Sequence, residues 1–289
     1  MISCIICSRQ PDISRELKEN IASTIGCEYE LVVIDNSKNE YSIFSAYNEG
    51  VRRAKGDVLC FMHEDLVFHS SNWGCFVEEY FYKYPKAGLV GVAGTHYFPA
   101  LPAAQWDSEL ASSRMIQGRL DDGKYVTTLE EQFEYRKSPT QMAAVDGLWL
   151  CMPKKIFDSD SVKWDEDTFD AFHCYDTDMA FQVWQVGYEV HLFWDVLIEH
   201  KSLGNPDESF ARSSAKLYNK WKNLLPIAKG LQLTKKEIEA REALCRMKIQ
   251  FREEEFKHQK QIQSIVNSKA YRIGKVLLKP IKLMKKLIK

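Results

Sequence analysis

Four short apolar runs, Ser3–Cys7, Leu31–Ile34, Val58–Met62 and Leu89–Ala93, constrain the fold of this chain more than any other feature. Each is a strand in length and is bounded by turn-forming residues. The stretches between the first three have helical spacing. Ile13–Ile25 is one, and Ile43–Ala54 is another, with Phe44, Tyr47 and Val51 on one side. Strands alternating with helices predict βαβ units and an α/β domain built on a mainly parallel central sheet. Sheets of this kind bind ligands beyond the carboxyl ends of their strands. Asp35-Asn36-Ser37 and His63-Glu64-Asp65 both fall at such ends, so the two strings are expected to share one crevice.

The second string is the more demanding of the two. Phe61-Met62-His63-Glu64-Asp65-Leu66-Val67-Phe68 sets three adjacent polar side chains between apolar runs. Unpaired carboxylates are costly in a core and well suited to holding a divalent cation through oxygen ligands. A solvated acidic loop is the alternative reading of the same residues.

Farther along, the pattern is irregular from about 95 to 145, with Pro99, Pro102, Gly118, Gly123 and Pro139, and predicts a long, loop-rich insertion. A strand is expected at Gly147–Met152, a helix at Tyr175–Gly187 with Gly187 near its C-cap, and a strand at Tyr188–Phe193.

A net charge of -1 averages two unlike surfaces. Residues 231–289 hold 16 Lys/Arg against 6 Asp/Glu, while the first 230 residues carry 23 against 34. The domain boundary is therefore expected between 230 and 231, with a helical extension after it. Its 234–263 stretch reads as a long charged helix and a candidate homodimer surface, although no sustained heptad marks a coiled coil. In Ser268–Lys289, Ile273, Val276, Leu277, Ile281, Met284, Leu287 and Ile288 share one helical arc, and Pro280 is expected to kink the helix. Lys275, Lys279, Lys282, Lys285, Lys286 and Lys289 occupy the opposite arc, with no acidic residue among them. Residues 269–289 thus suit an anionic membrane surface, since nucleic acid would need the charge but not the apolar stripe.

No apolar stretch approaches the roughly 18 to 20 residues that span a bilayer. Met1–Ser8 lacks a basic leader and reads as a first strand. A cytoplasmic location, peripheral to the inner face of the membrane, is the expectation. The eight cysteines show one CxxC spacing, Cys4 and Cys7, but residues three apart on a strand face opposite ways. Free thiols in a reducing compartment account for them.

Several strings, taken in order, resemble the family 2 glycosyltransferases of GT-A fold. Ile2–Ser8 resembles the opening strand, and Glu30–Ser37 the second, whose terminal Asp contacts the nucleotide base in that family. Tyr47-Asn48-Glu49-Gly50 and Ala54-Lys55-Gly56-Asp57 resemble the approach to the metal strand. His63-Glu64-Asp65 stands at the DxD position, Val145–Met152 resembles the acceptor-side strand, and Tyr175-Asp176-Thr177-Asp178 the "ED" motif. The resemblance covers about residues 1–205 and is closest to the StrF-like branch. Two departures stand out: His63 replaces the first acid of DxD, and Tyr175 replaces the Glu of "ED".

That resemblance implies transfer of a sugar from a UDP- or GDP-sugar to a hydroxyl of a glycan or lipid-linked saccharide, with inversion at the anomeric carbon. Mn²⁺ or Mg²⁺ would neutralise the leaving diphosphate. Asp65 is the best-matched metal ligand, with Glu64 offering oxygen directly or through water. His63 is a nitrogen ligand or a phosphate contact, or marks a weakened metal dependence. His200 is a further metal or diphosphate contact, or satisfies a loop carbonyl. Asp176 corresponds to the family's base. Asp178, about 200° farther round the helix, would orient or cap there and belong to the acceptor side. Ser8, Arg9 and Asp35 would hold the donor's base and ribose, and Asp146, Gly147 and Trp149 the acceptor side, with Trp149 a sugar-stacking surface. Trp106, Trp164, Trp184 and Trp194 are weaker stacking candidates. A nucleotidyltransferase, or a catalytically silent nucleotide-sugar or glycan-binding protein, are the competing readings.

Overall fold

The computed structural model of the protein describes residues 1–132, 139–159, 162–203, 207–269, 271 and 273. Its first half alternates as the apolar runs require: β1 (Ile2–Ser8), α1 (Arg15–Thr24), β2 (Tyr29–Asp35), α2 (Ile43–Arg53), β3 (Val58–Met62), β4 (Leu66–Phe68), α3 (Trp73–Lys83) and β5 (Ala87–Gly91). There follow β6 (Ala93–Thr95), β7 (Tyr97–Phe98), β8 (Ala111–Asp121), β9 (Lys124–Gln132), β10 (Thr140–Gln141), β11 (Ala144–Val145) and β12 (Trp149–Pro153). The chain continues through α4 (Tyr175–Gln185), β13 (Glu189–Leu192), β14 (Ile198–His200), α5 (Glu208–Trp221), β15 (Ile227–Ala228) and α6 (Lys235–Asn267).

The central sheet has the order β10-β13-β5-β12-β3-β1-β2. β1 pairs in parallel with both β2 and β3, whereas β12 runs against β3 and β5. Every residue of β3 and β12 is buried, which is why both read as unbroken apolar runs. Ser14 and Ser42 start α1 and α2 by accepting from the backbone N–H groups of Leu17 and Ser45. α2 lies close on β1 because Gly50 has no Cβ; one added there would come within 2.2 Å of Ile5 Cγ2.

The expected loop-rich insertion is largely a second sheet. β11-β6-β8-β14-β4 pair in that order, with β9 on the far side of β8. Buried Ser112 and Ser113 hide this sheet from a hydrophobicity reading, since small polar residues replace the apolar alternation. The turn of its β8–β9 hairpin is Asp122-Gly123, with φ of 48° and 77°, a pair whose sequence alone is a strong hairpin signal. This sheet brings β14 against β4, pairing His200 with Leu66 just after the His63-Glu64-Asp65 string.

Asp178 is a packing residue and not part of the acceptor side. It is 1% exposed and accepts from Trp221 Nε1 and Gln182 Nε2, each at 2.7 Å, and pairs with Lys220 Nζ at 2.7 Å. These bonds tie α5 to α4. Removing one partner of a buried pair leaves the other charge uncompensated. Asp178→Ala is therefore expected to cost about 3–5 kcal/mol in a denaturant melt; a loss under about 1 kcal/mol would contradict this.

One compact unit runs Met1–Cys245 and a second opens at Arg246. Within the first, Glu242 accepts from Tyr97 Oη at 2.5 Å and from Ala100 N at 2.9 Å. In the second, α6 leaves Met247, Phe251, Ile262 and Ile265 exposed. The amphipathic segment expected over 268–289 lies outside the described residues, apart from 268, 269, 271 and 273. Among the described residues no helix is long and apolar enough to cross a membrane.

Candidate active site

The carboxyl ends of β1, β2 and β3 lie side by side. Ser8 is in register with Asp35, and Ile6 with Met62. Asp35 is exposed, and hydrogen bonds from the Ser37 backbone and hydroxyl hold its carboxyl below the ordinary value. Asn36 closes the following loop, donating to Tyr41 O and accepting from Tyr41 N, each at 2.9 Å. Arg9 leaves its side chain exposed at the same edge.

Two expectations change here. Ser8 is fully buried, and its hydroxyl donates to Glu64 Oε2 at 2.7 Å rather than facing a ligand. Glu64 also accepts from Arg9 N at 3.2 Å. Its carboxylate thus braces the end of β1 against the loop after β3, instead of standing free as an oxygen ligand.

On the other side of that loop, His63, Asp65 and His200 each offer a ligand atom, all within 4.8 Å of one another. His63 Nδ1 lies 3.3 Å from His200 Nε2, which is 3.5 Å from Asp65 Oδ1. Ser202 Oγ donates to Asp65 Oδ2 at 2.6 Å. Burial would raise the Asp65 carboxyl, but the bonds from His200 and Ser202 override it and hold the group well below the usual carboxylate range. His200 responds in the opposite sense: burial lowers its pKa, and the Asp65 carboxylate outweighs burial and raises it. Burial, then the neighbouring His200, lower the pKa of His63.

The remaining ring nitrogen of His63, Nε2, lies 2.7 Å from Tyr175 Oη. Tyr175 Oη donates to Gly147 O at 3.0 Å, so its oxygen is left to accept from His63 Nε2–H. This network assigns the proton to Nε2 and turns the Nδ1 lone pair toward His200 and Asp65. Gly147 makes the arrangement sterically feasible, since a Cβ there would come within 2.2 Å of Tyr175 Oη.

Asp176 opens α4, half-buried, with Cys174 rather than an acid at the N-cap. Its Oδ2 accepts from Gln105 Nε2 at 2.7 Å and Gly147 N at 3.0 Å, and its Oδ1 from Thr177 N at 2.7 Å. A helix N-terminus by itself favours an ionised carboxylate. Burial, reinforced by Asp146, instead raises it to about 7. A general base is most useful when it titrates near the working pH. Asp146 also acts electrostatically on His63 and His200, so its carboxylate links the two halves of the site. Gly147, expected on the acceptor side, orients the Asp176 carboxylate through its N–H.

Trp149 is a core residue, fully buried, stacked on Phe193 and edge-on to Trp73; no sugar reaches it. Its place on β12, between β3 and β5, requires that burial. Gln105, which donates to Asp176, had no local signal: it lies on a short 3₁₀ turn, Gln105–Ser108, inside the stretch that reads as loop.

A sequence model of a glycosyltransferase-like family matches residues 1–202. The chain belongs to that family. No curated protein sequence matches it. Among solved structures it is similar to GalNAc-T7 with UDP, GalNAc and Mn²⁺, at 13% identity and a TM-score of 0.50, covering 78% of this chain and 49% of that one. It is also similar to Staphylococcus aureus TarS 1–349 in complex with UDP-GlcNAc, at 10% identity and a TM-score of 0.49, covering 84% and 70%. This glycosyltransferase-like chain thus has the GT-A fold, and it spans about half the length of GalNAc-T7.

Within this glycosyltransferase-like chain, the two departures from the family 2 motifs touch each other. His63 and Tyr175, each replacing an acid, form one hydrogen-bonded pair. Outer partners that fix a ligand's tautomer are worth about 10–100-fold in metal affinity. Tyr175→Phe is expected to weaken Mn²⁺ binding by about tenfold, read by calorimetric titration, with the melting temperature little changed. Unaltered affinity would remove Tyr175 from this role.

Proposed function

We propose that this protein transfers a sugar from a nucleotide-diphosphate donor, a UDP- or GDP-sugar, to a hydroxyl of a glycan or lipid-linked saccharide, with inversion. The StrF-like placement within the family belongs to the same reading and rests on motif order. The observation that carries the proposal is the meeting, at one sheet edge, of a three-ligand cluster and a carboxyl poised near 7.

The donor set suits a divalent cation. His63 Nδ1, His200 Nε2 and an Asp65 oxygen would hold it. Imidazole nitrogens suit Mn²⁺ and later metals better than Mg²⁺, which demands oxygen ligands. When bound, the cation neutralises the charge that develops on the leaving diphosphate. The UDP and Mn²⁺ of GalNAc-T7 support this choice of donor and metal.

The chain's own residues supply the rest. Asp35 accepts from the donor's base or ribose, and the Arg9 guanidinium lies at the same edge for the phosphates. Asp176, ionised, takes the acceptor hydroxyl's proton as that oxygen attacks the anomeric carbon and the bond to the diphosphate breaks. Gly147 N–H and Gln105 hold the carboxylate in place for this transfer.

Donor hydrolysis in Mn²⁺, across a panel of nucleotide sugars, tests the proposal. At least one donor should be cleaved by the wild type and not by Asp176→Ala. No cleavage of any donor by the wild type would point to a binding protein instead. The cationic 269–289 segment supports a place at an anionic membrane surface, on the inner face, suited to a lipid-linked acceptor; each Lys there contributes about 1 kcal/mol. Deleting 269–289 should abolish pelleting with anionic vesicles, and unchanged pelleting would end the membrane reading. The 234–263 helix remains the proposed homodimer surface.

A further inference from the structure

The seven tryptophans divide sharply. Six are buried or half-buried, and Trp106 alone is exposed, at 50%. It sits on the 3₁₀ turn Gln105–Ser108, whose other three residues are buried. Gln105 donates to Asp176, Asp107 Oδ2 accepts from Ala104 N at 2.8 Å, and Ser108 Oγ meets Thr95 Oγ1 at 3.0 Å. Arg241 Nη1 further donates to Ser108 O at 3.1 Å. The turn is therefore locked on every side except the one that presents the indole.

One face of that indole is already covered. Phe210, on α5, stacks on it with ring centroids 6.3 Å apart and planes 21° apart. Phe210 is itself nearly buried and held edge-on by His173, which pairs with Asp207 at the start of α5. A ring so backed loses little freedom on binding a ligand. Phe172, four residues before Asp176, is a second exposed aromatic on the segment that leads into the base.

Backed aromatic rings with one open face are suited to the apolar C–H face of a pyranose. A solvent-exposed tryptophan would otherwise be an isolated apolar surface. Here its neighbour in sequence hydrogen-bonds the carboxyl that is to deprotonate the acceptor. We infer that Trp106 is the stacking platform for the acceptor's pyranose ring, placing the ring so that one hydroxyl reaches Asp176. This inference rests on the glycosyltransferase reading, and it moves the stacking role from Trp149 to Trp106.

The test uses the full chain with Trp106→Ala and Trp106→Phe, and two separate readouts. Saturation-transfer NMR against oligosaccharides of hexoses, N-acetylhexosamines and deoxyhexoses reads acceptor binding. Hydrolysis of the nucleotide sugar reads the donor half. At least one oligosaccharide should bind the wild type, with affinity falling about tenfold in Trp106→Ala and staying within about threefold in Trp106→Phe. Donor hydrolysis should change by less than about twofold in both, since water needs no platform. Equal binding by wild type and Trp106→Ala would overturn the inference. So would absence of binding by the wild type to the whole panel at millimolar concentration, or a matching loss of donor hydrolysis in a Trp106→Phe protein of unchanged melting temperature. Failure of donor hydrolysis in the wild type would instead strike the glycosyltransferase reading.

Discussion

Asp176→Asn is expected to lower sugar transfer by about 10²–10⁴-fold, the range general-base catalysis supplies, while the protein melts at a higher temperature at pH 8. Both effects follow from one observation, that burial and Asp146 raise the Asp176 carboxyl to about 7. The base must be ionised to act, so wild-type activity should climb through about pH 7 and be lost as pH falls below it. The stability effect has the opposite sense. A carboxyl raised in the fold binds its proton more tightly than in the unfolded chain, so stability declines as pH climbs from about 4 to about 7. Above that the full cost of the buried charge is present. Asparagine has no charge to bury, and its carbonyl still accepts from Gly147 N–H. Activity within about tenfold of wild type, or a profile with no acidic limb near neutrality, would refute Asp176 as the base.

The second large effect concerns the cation. His200→Ala removes one of the three residues that could hold a cation and leaves the Asp65 carboxylate without its imidazole partner. Mn²⁺-dependent turnover should fall by more than the roughly 10–100-fold that loss of an outer hydrogen bond costs. Chelated wild-type protein should regain activity with Mn²⁺ and far less with Mg²⁺, because two of the three donors are imidazole nitrogens. Since the Asp65 carboxylate raises His200, a cation there would compete with a proton, and Mn²⁺ affinity should weaken as pH falls. Equal recovery with Mg²⁺ would mean that the cation does not sit on the two imidazoles.

The legible parts of this protein are those whose information is local. β3 is the apolar run Val58–Met62, and α2 follows its helical spacing from Ile43. The strand-end strings at Asp35 and His63-Glu64-Asp65 could be placed together because a parallel sheet aligns its carboxyl ends. The second sheet was not legible by hydrophobic alternation, since Ser112, Ser113 and Gly118 occupy β8, and Asp122-Gly123, which turns its hairpin, falls inside the loop-rich stretch. Trp149 misled because its neighbours Asp146 and Gly147 do lie against Asp176. β12 turns inward one residue later, and the ring goes with it.

By itself, the sequence determined the α/β alternation and which chemical types stand at the carboxyl ends of β2 and β3. Only the tertiary structure decided which of those side chains meet. His63 reaches His200 across 137 residues and Tyr175 across 112, and Gln105 reaches Asp176 across 71. No periodicity of 2 or 3.6 residues carries information over such separations. These pairings depend on how β14 docks beside β4 and where the Gln105 turn packs against α4, and those are set by the packing of the whole domain.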